Sequence, residues 1–151
     1  MQGKTDGELL SWLAGFLDGE GSFVIVRESG GRLQPRIQVA NTHIATLSRV
    51  QEMLTRLGLP HYVGWKQGGR RADGYDRKRQ WVIMATGLKR TARWCQALLE
   101  YLVTKREQAE LMLEFCNSRL SHGNWQAPKD RRKALLPREA EVLERIRSAN
   151  H

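Results

Sequence analysis

Leu9, Leu10, Leu13, Phe16 and Leu17 recur at the spacing of one helical face, and Thr5-x-x-Glu8 ahead of them is a capping box. The spacing predicts a first helix from about Asp6 to Asp18. Gly19 and Gly21 break it, and the apolar run Phe23-Val24-Ile25-Val26 marks a strand that turns at Gly30-Gly31. A second strand alternates, with Arg32, Gln34, Arg36 and Gln38 on one side and Leu33, Ile37 and Val39 on the other. That pattern belongs to a half-buried sheet with one polar face. Pro35 interrupts the apolar set and points to an edge or a bulge.

Asn41 or Thr42 is placed to cap a second helix with apolar positions Ile44, Leu47, Val50, Leu54 and Leu57, ended by Gly58 and Pro60. Strands follow over Tyr62 to Lys66 and Gln80 to Thr86, joined by a long loop with five basic residues. Helical spacing resumes at Ala92, Cys95, Leu98, Leu99 and Leu102, and again from Lys105 through Gln108, Met112 and Phe115. Pro137 opens a small last helix carrying Ala140, Leu143 and Ile146. The order α-β-β-α-β-β-α-α holds two αββ units and predicts an α+β fold, its sheet covered by helices on one face. The other face is polar and basic, so it needs a partner more than a core.

The 151 residues suit one domain, with a core over about 6–118 and a basic helical extension over 119–151. The longest apolar run is Trp81 to Ala85, far short of the roughly 20 residues a membrane helix needs. No apolar leader follows Lys4, and the two cysteines, Cys95 and Cys116, sit inside helical patterns away from any Cys/His cluster. An intracellular protein with reduced core cysteines, no zinc site and no membrane partner is expected.

The net charge of +9 is local. Residues 1–65 carry 6 basic and 6 acidic groups, 66–90 carry 8 and 2, and 119–151 carry 8 and 4. Such localised excess is the footprint of a nucleic-acid binder. The one GxG, Gly19-Glu20-Gly21, follows a helix and precedes a strand, the reverse of a nucleotide-binding loop, so no nucleotide cofactor is expected. His43, His61, His122 and His151 show no metal-ligand spacing.

Asp18 and Glu20 stand at the C-terminal end of the first helix, where the dipole disfavours a carboxylate by roughly 0.3–1 kcal/mol. A divalent cation held by carboxylate and helix-end carbonyl oxygens offsets that, and such hard donors suit Mg²⁺. Ser11, Ala14, Gly15 and Gly19 add a stripe of small residues, which lets backbones approach closely. With one such helix per chain, a second copy is the simplest partner.

Leu13-Ala14-Gly15-Phe16-Leu17-Asp18-Gly19-Glu20-Gly21 resembles the signature of the LAGLIDADG homing endonucleases, and the similarity in element order spans about residues 6 to 115. One copy of the motif matches the homodimeric members. The resemblance implies an αββαββα fold whose saddle-shaped antiparallel sheet lies along the DNA major groove. Motif helices form the dimer interface, with Ser11, Trp12, Ala14, Gly15 and Asp18 at the contact. Glu20 binds metal with the Gly19 carbonyl; Glu stands where many members have Asp. Lys105 approaches the scissile phosphate and Asn41 orders water, so Glu20, Lys105 and Asn41 form the expected catalytic set.

The implied reaction is metal-dependent hydrolysis of both strands of a long pseudo-palindromic site. Mg²⁺ is the expected cofactor, Mn²⁺ substitutes, and Ca²⁺ binds without supporting efficient cleavage. The expected DNA contacts are Val24, Val26, Glu28, Arg32, Gln34, Arg36, Gln38, Lys66, Arg70, Arg71, Arg77, Lys78, Arg79 and Gln80. On the sheet these read bases, Arg to guanine and Gln to adenine; on the loop they hold phosphates. Two alternatives use the same fold: a splicing maturase, which adds intron RNA as partner, and a non-cleaving DNA-binding regulator.

Overall fold

Thr5 starts the first helix by accepting a hydrogen bond at its hydroxyl from Glu8 N (3.1 Å), while that hydroxyl donates to Glu8 Oε1 at 3.2 Å. The computed structural model describes residues 3–66, 79–123 and 134–150. Helix α1 (Asp6–Glu20) runs into strand β1 (Gly21–Arg27) and then β2 (Leu33–Asn41). Next come α2 (Ile44–Arg56), β3 (Tyr62–Lys66) and β4 (Gln80–Thr86). Helix α3 (Leu88–Leu98), one 3-10 turn at Leu99–Tyr101, α4 (Arg106–His122) and α5 (Pro137–Ala149) complete the order. The fold is α+β, with one antiparallel sheet ordered β1-β2-β4-β3.

The first helix extends to Glu20, two residues past the expected end. One internal glycine costs about 1 kcal/mol and does not stop a helix that is otherwise packed. Leu9, Leu13, Ala14 and Leu17 anchor α1 in the core, and the turn closes when Gly21 N donates to Leu17 O. Gly21 is required there: a Cβ would lie 2.6 Å from Leu17 Cδ2 and 2.9 Å from Leu17 O. The β1–β2 hairpin closes with Gly31 N donating to Glu28 O, and Gly30 and Gly31 take positive φ of 87° and 81°.

Pro35 lies inside a central strand with no bulge, contrary to the expected edge or bulge. It pairs with Ile25, and its carbonyl accepts from Gly87 N at 3.1 Å, so its backbone polar side faces β4's end. The β2–β4 pairing starts only at Arg36, so the missing N–H forfeits no ladder bond. Buried like Ile37 and Val39, Pro35 continues the apolar face. In α2 the cap is His43, whose Nδ1 accepts from Thr46 N at 3.3 Å, rather than Asn41 or Thr42. Asn41 Oδ1 accepts instead from His43 N at 2.8 Å, forming the turn that leads into the helix. Ile44 is exposed, and Met53 joins Leu47, Val50 and Leu54 in the core.

Phe23, Ile25, Ile37, Val39, Ile83 and Ala85 form the inner sheet face, packed with Leu13, Leu17, Leu98, Met112 and Phe115 of the helices. Helix α5, from the segment read as a basic extension, contributes Val142, Leu143 and Ile146 to the same core. Arg119 and Glu139, 3.1 Å apart, join it to α4, and Asn150 Nδ2 donates to Phe23 O at 2.9 Å. Both cysteines are buried, and burial pushes the Cys116 thiol up to about 11. Neither is a nucleophile at neutral pH. Among the described residues no helix is long and apolar enough to cross a membrane.

Candidate functional site

The strand register assigns the outer sheet face row by row. Ser22, Gln38, Met84 and Tyr62 align across the four strands, and Val24, Arg36 and Thr86 align beside them. Val26 opposes Gln34 in the next row. The polar side chains of β2 thus stand among small and apolar neighbours, which leaves their heads accessible from above. Arg36 Nη2 donates to Gln34 Oε1 at 3.3 Å, while its Nε is buried with no partner among the described residues. An unpaired buried N–H costs about 1–3 kcal/mol, so the Arg36 side chain is held at a cost in the free chain.

The remaining expected contacts divide. Arg32 is exposed just ahead of β2. Glu28 lies beyond β1, in the hairpin turn, where its N donates to Arg32 O at 2.8 Å. Lys66 and Gln80 pair across β3 and β4. Arg79 is not on the outer face: its guanidinium sits 4.1 Å from the centre of the Trp65 ring. Trp65 pairs with Trp81, on the side shared with Val63 and Ile83, so the cation–π contact draws Arg79 to the helix-bearing side. Arg70, Arg71, Arg77 and Lys78 lie outside the described residues.

At the end of α1, three contacts bring distant segments together. Asp18 Oδ2 accepts from Val103 N and Oδ1 from Lys105 N, both at 2.9 Å. Lys105 Nζ returns a hydrogen bond to Asp18 O at 2.7 Å. Lys105 is the residue that caps α4, so the start of α4 is tied to the last turn of α1. Its ammonium also meets the negative end of the α1 dipole, where a cation is favourable. Gly19 and Glu20, the next residues, are exposed. Asn41 ends β2 two residues beyond Val39, which pairs with Gly21, so Glu20, Lys105 and Asn41 share one end of the sheet.

One chain presents a single exposed carboxylate here, because that of Asp18 is taken. Among the described residues no group of three or more His, Cys, Asp or Glu is close enough to hold a metal. The donor set of Glu20 and helix-end carbonyls is all hard oxygen, which fits a cation that keeps waters and phosphate oxygens as its other ligands. Of the residues assigned to a dimer contact, Ser11, Trp12 and Gly15 are exposed on α1. Among the described residues no atom outside the local α1 backbone lies within 4 Å of a Cβ built on Gly15 or Gly19, and Trp12 stacks on Phe16 with centroids 5.2 Å apart. Ala14 faces the chain's own core at 0% exposure, so the open stripe runs through Ser11, Gly15 and Gly19 without it. Asp18 points to Val103 and Lys105 rather than outward. The tie from Asp18 left no trace in the sequence, because its partners lie 85 and 87 residues away. Met84, Thr86 and Tyr62 on the outer face were legible as the alternate positions of β3 and β4.

Comparison with known proteins adds four findings. A family model described as LAGLIDADG-like domain matches residues 7–114. The homing endonuclease I-CvuI in complex with a DNA target has the same fold, at 22% identity, 97% of each chain covered and a TM-score of 0.56. I-LtrWI, a LAGLIDADG homing endonuclease bound to target DNA, matches 98% of this chain with 44% of its own, at 13% identity and a TM-score of 0.60. An uncharacterised protein of Methanocaldococcus jannaschii is 30% identical over 73 residues, which are 48% of this chain and 27% of that relative. The match thus spans about a quarter of that relative's length.

Proposed function

The chain belongs to the LAGLIDADG-like domain family, and from that premise we propose that it is a homodimeric, site-specific DNA endonuclease acting inside the cell as a single catalytic domain per copy. It hydrolyses one phosphodiester in each strand of a long, pseudo-palindromic duplex with Mg²⁺, Mn²⁺ substituting and Ca²⁺ supporting binding without efficient cleavage. I-CvuI complexes have been solved with Mg and with Ca, and in the Mg complex the DNA is described as not cleaved. The observation that carries the reading is the 2.7 Å contact from Lys105 Nζ to Asp18 O, which delivers a cation to the helix end that presents Glu20.

Glu20 and the carbonyl of Gly19 hold the divalent cation, one set from each copy. When bound, that ion supplies a Lewis acid for the attacking and leaving oxygens. Lys105 stands beside the scissile phosphate and offsets its developing charge. Asn41 donates through Nδ2, its Oδ1 being engaged by His43 N, and orients the attacking water. The twofold places the α1 stripe of Ser11, Gly15 and Gly19 against its copy, with Trp12 beside it. Arg32, Gln34, Arg36 and Gln38 read base edges, with Val24 and Val26 available to thymine methyl groups. Lys66, Gln80 and the basic loop hold phosphates.

The test is cleavage by Glu20→Gln with Mg²⁺, beside a gel shift on the same DNA. Retained binding with lost cleavage is the expected pair of results, and wild-type cutting by this variant moves the metal site elsewhere.

A further inference from the structure

Every arginine of α4 and α5 has an acidic partner. Arg106 pairs with Glu110, Arg119 with Glu139, Arg138 with Glu114 and Glu141, Arg145 with Glu107, and Arg147 with Glu144. Around one cavity the chain does the opposite. This cavity, of about 480 Å³, lies where β1 ends, β2 begins and β4 hands over to α3. Arg27 at the end of β1, Arg32 just ahead of β2 and Arg90 in the first turn of α3 line it. All three are exposed, and none of their guanidinium groups has a hydrogen-bond or ion-pair partner among the described residues. Lys89 and Arg119 also line the wall, both engaged in other contacts, the Arg119 charge being balanced by Glu139. No Asp or Glu among the described residues lines the cavity, and Phe115 contributes to an apolar floor.

Like charges gathered on a low-dielectric floor repel one another and focus a positive field into the space between them. The start of α3 adds to that field, having neither a side-chain cap nor an acidic residue in its first turn. An oxyanion relieves the repulsion, and the planar fork of a guanidinium matches two phosphate oxygens at once. The volume falls in the range of small-ligand pockets, roughly 300–1,000 Å³. Six residue steps of β1 separate Gly21 from Arg27, so the cavity lies about 20 Å from the α1 end that carries Glu20.

We propose that this cavity is a phosphate-binding site, distinct from the end of α1, taking its oxyanion either from the backbone of a DNA duplex leaving the end of the sheet or from a free phosphorylated small molecule. Arg32 and Gln34 border both the cavity and the outer sheet face, so a duplex lying on that face passes its rim. The duplex source rests on the DNA-binding reading above; the free-ligand source does not.

The test compares the full chain, the double variant Arg27→Gln/Arg90→Gln and, as control, Arg49→Gln, an exposed arginine of α2 that does not line the cavity. Thermal midpoints are measured against rising inorganic pyrophosphate, and duplex affinity against salt. Pyrophosphate is expected to raise the midpoint of the wild type and the control saturably and to leave the double variant unmoved. If the duplex is the source, the double variant also lowers the slope of log affinity against log salt, by about 0.9 per lost phosphate contact and more than the control does. A pyrophosphate effect with an unchanged slope assigns the site to a free ligand. If no duplex binds and the pyrophosphate effect still needs Arg27 and Arg90, the site stands and the DNA-binding reading falls. A pyrophosphate effect equal in all three proteins, or none together with an unchanged slope, overturns the proposal.

Discussion

Asp18 and Lys105 hold each other by both backbone and side chain. The carboxylate of Asp18 accepts Lys105 N at 2.9 Å, and Lys105 Nζ donates to Asp18 O at 2.7 Å, across 87 residues of sequence. The same carboxylate takes Val103 N, so the turn into α4 has its N–H groups satisfied by a residue of α1. That arrangement fixes where the Lys105 ammonium sits relative to Glu20, two residues past Asp18.

Asp18→Asn therefore separates position from charge. An amide oxygen accepts one of the two N–H groups and presents NH₂ to the other, at a cost of about 1–3 kcal/mol of stability. Duplex affinity is expected to survive, because it draws on the sheet, while single-turnover cleavage falls by more than the affinity does. A lowered thermal midpoint with an unchanged cleavage rate reduces the tie to a structural one. Lys105→Ala is expected to give a milder cleavage defect than Glu20→Gln, since it leaves the proposed metal ligands in place.

Elements whose pattern is local were legible in the chain. The alternation of Arg36, Ile37, Gln38 and Val39 faces solvent and core as its period dictates, and Thr5 with Glu8 marks the start of α1. What escaped depends on neighbours far away in sequence. Pro35 looks disruptive until β4 is seen to stop at Thr86, which leaves its missing N–H without a strand to serve. Asn41 looks like a helix cap until its oxygen is found on His43 N, which passes the capping role to the His43 ring. Arg79 reads as one more loop cation, and only the position of Trp65 across the β3–β4 pair turns it to the other side. The three unpaired arginines around the cavity come from separate elements and share no motif.

Gly15→Leu tests the twofold. Among the described residues no atom outside the local α1 backbone lies within 4 Å of a Cβ at Gly15, so the monomer accommodates the new side chain, whereas a closely packed second α1 does not. Sedimentation is expected to give twice the 17.3 kDa chain mass for the wild type and the single mass for the variant. Cleavage is lost with the dimer. A wild type that cuts both strands as a monomer sinks the symmetric model.

Arg36→Ala tests the reading surface. Arg36 stands on the outer sheet face in the row of Val24 and Thr86, with its Nη2 on Gln34, and base reading is the role proposed for it. Losing one bidentate contact costs about 1–3 kcal/mol of discrimination at one base pair, so binding to a randomised half-site should relax there and in its symmetry mate alone. A uniform loss across all sequences makes Arg36 a phosphate contact instead.

Glu139 makes α5 an acid-sensitive element. Its carboxylate is buried, and burial alone pushes its pKa up, but Ser118 Oγ (2.7 Å), Leu136 N (2.7 Å) and Arg119 Nη1 (3.1 Å) donate to it. Together these donors and the Arg119 charge outweigh burial and hold the group below the ordinary 4.5. A carboxyl whose pKa is lower in the folded state contributes stability that is complete above its unfolded value and is lost as pH falls through the folded one. The wild type is therefore expected to keep this contribution at neutral pH and to lose it below about pH 4.5. Glu139→Gln removes the carboxylate charge from the 3.1 Å contact with Arg119 and should cost about 1–3 kcal/mol at neutral pH. That gap narrows on acidification, because the wild-type carboxyl then becomes neutral as well. Replacing both partners, as Arg119→Met with Glu139→Leu, removes the ion pair as a whole and should restore much of the neutral-pH midpoint while flattening its acid dependence. Thermal midpoints of the three proteins from neutral pH to about pH 3 measure this directly, and a gap between wild type and Glu139→Gln that stays constant over that range means the ion pair is not what joins α5 to α4.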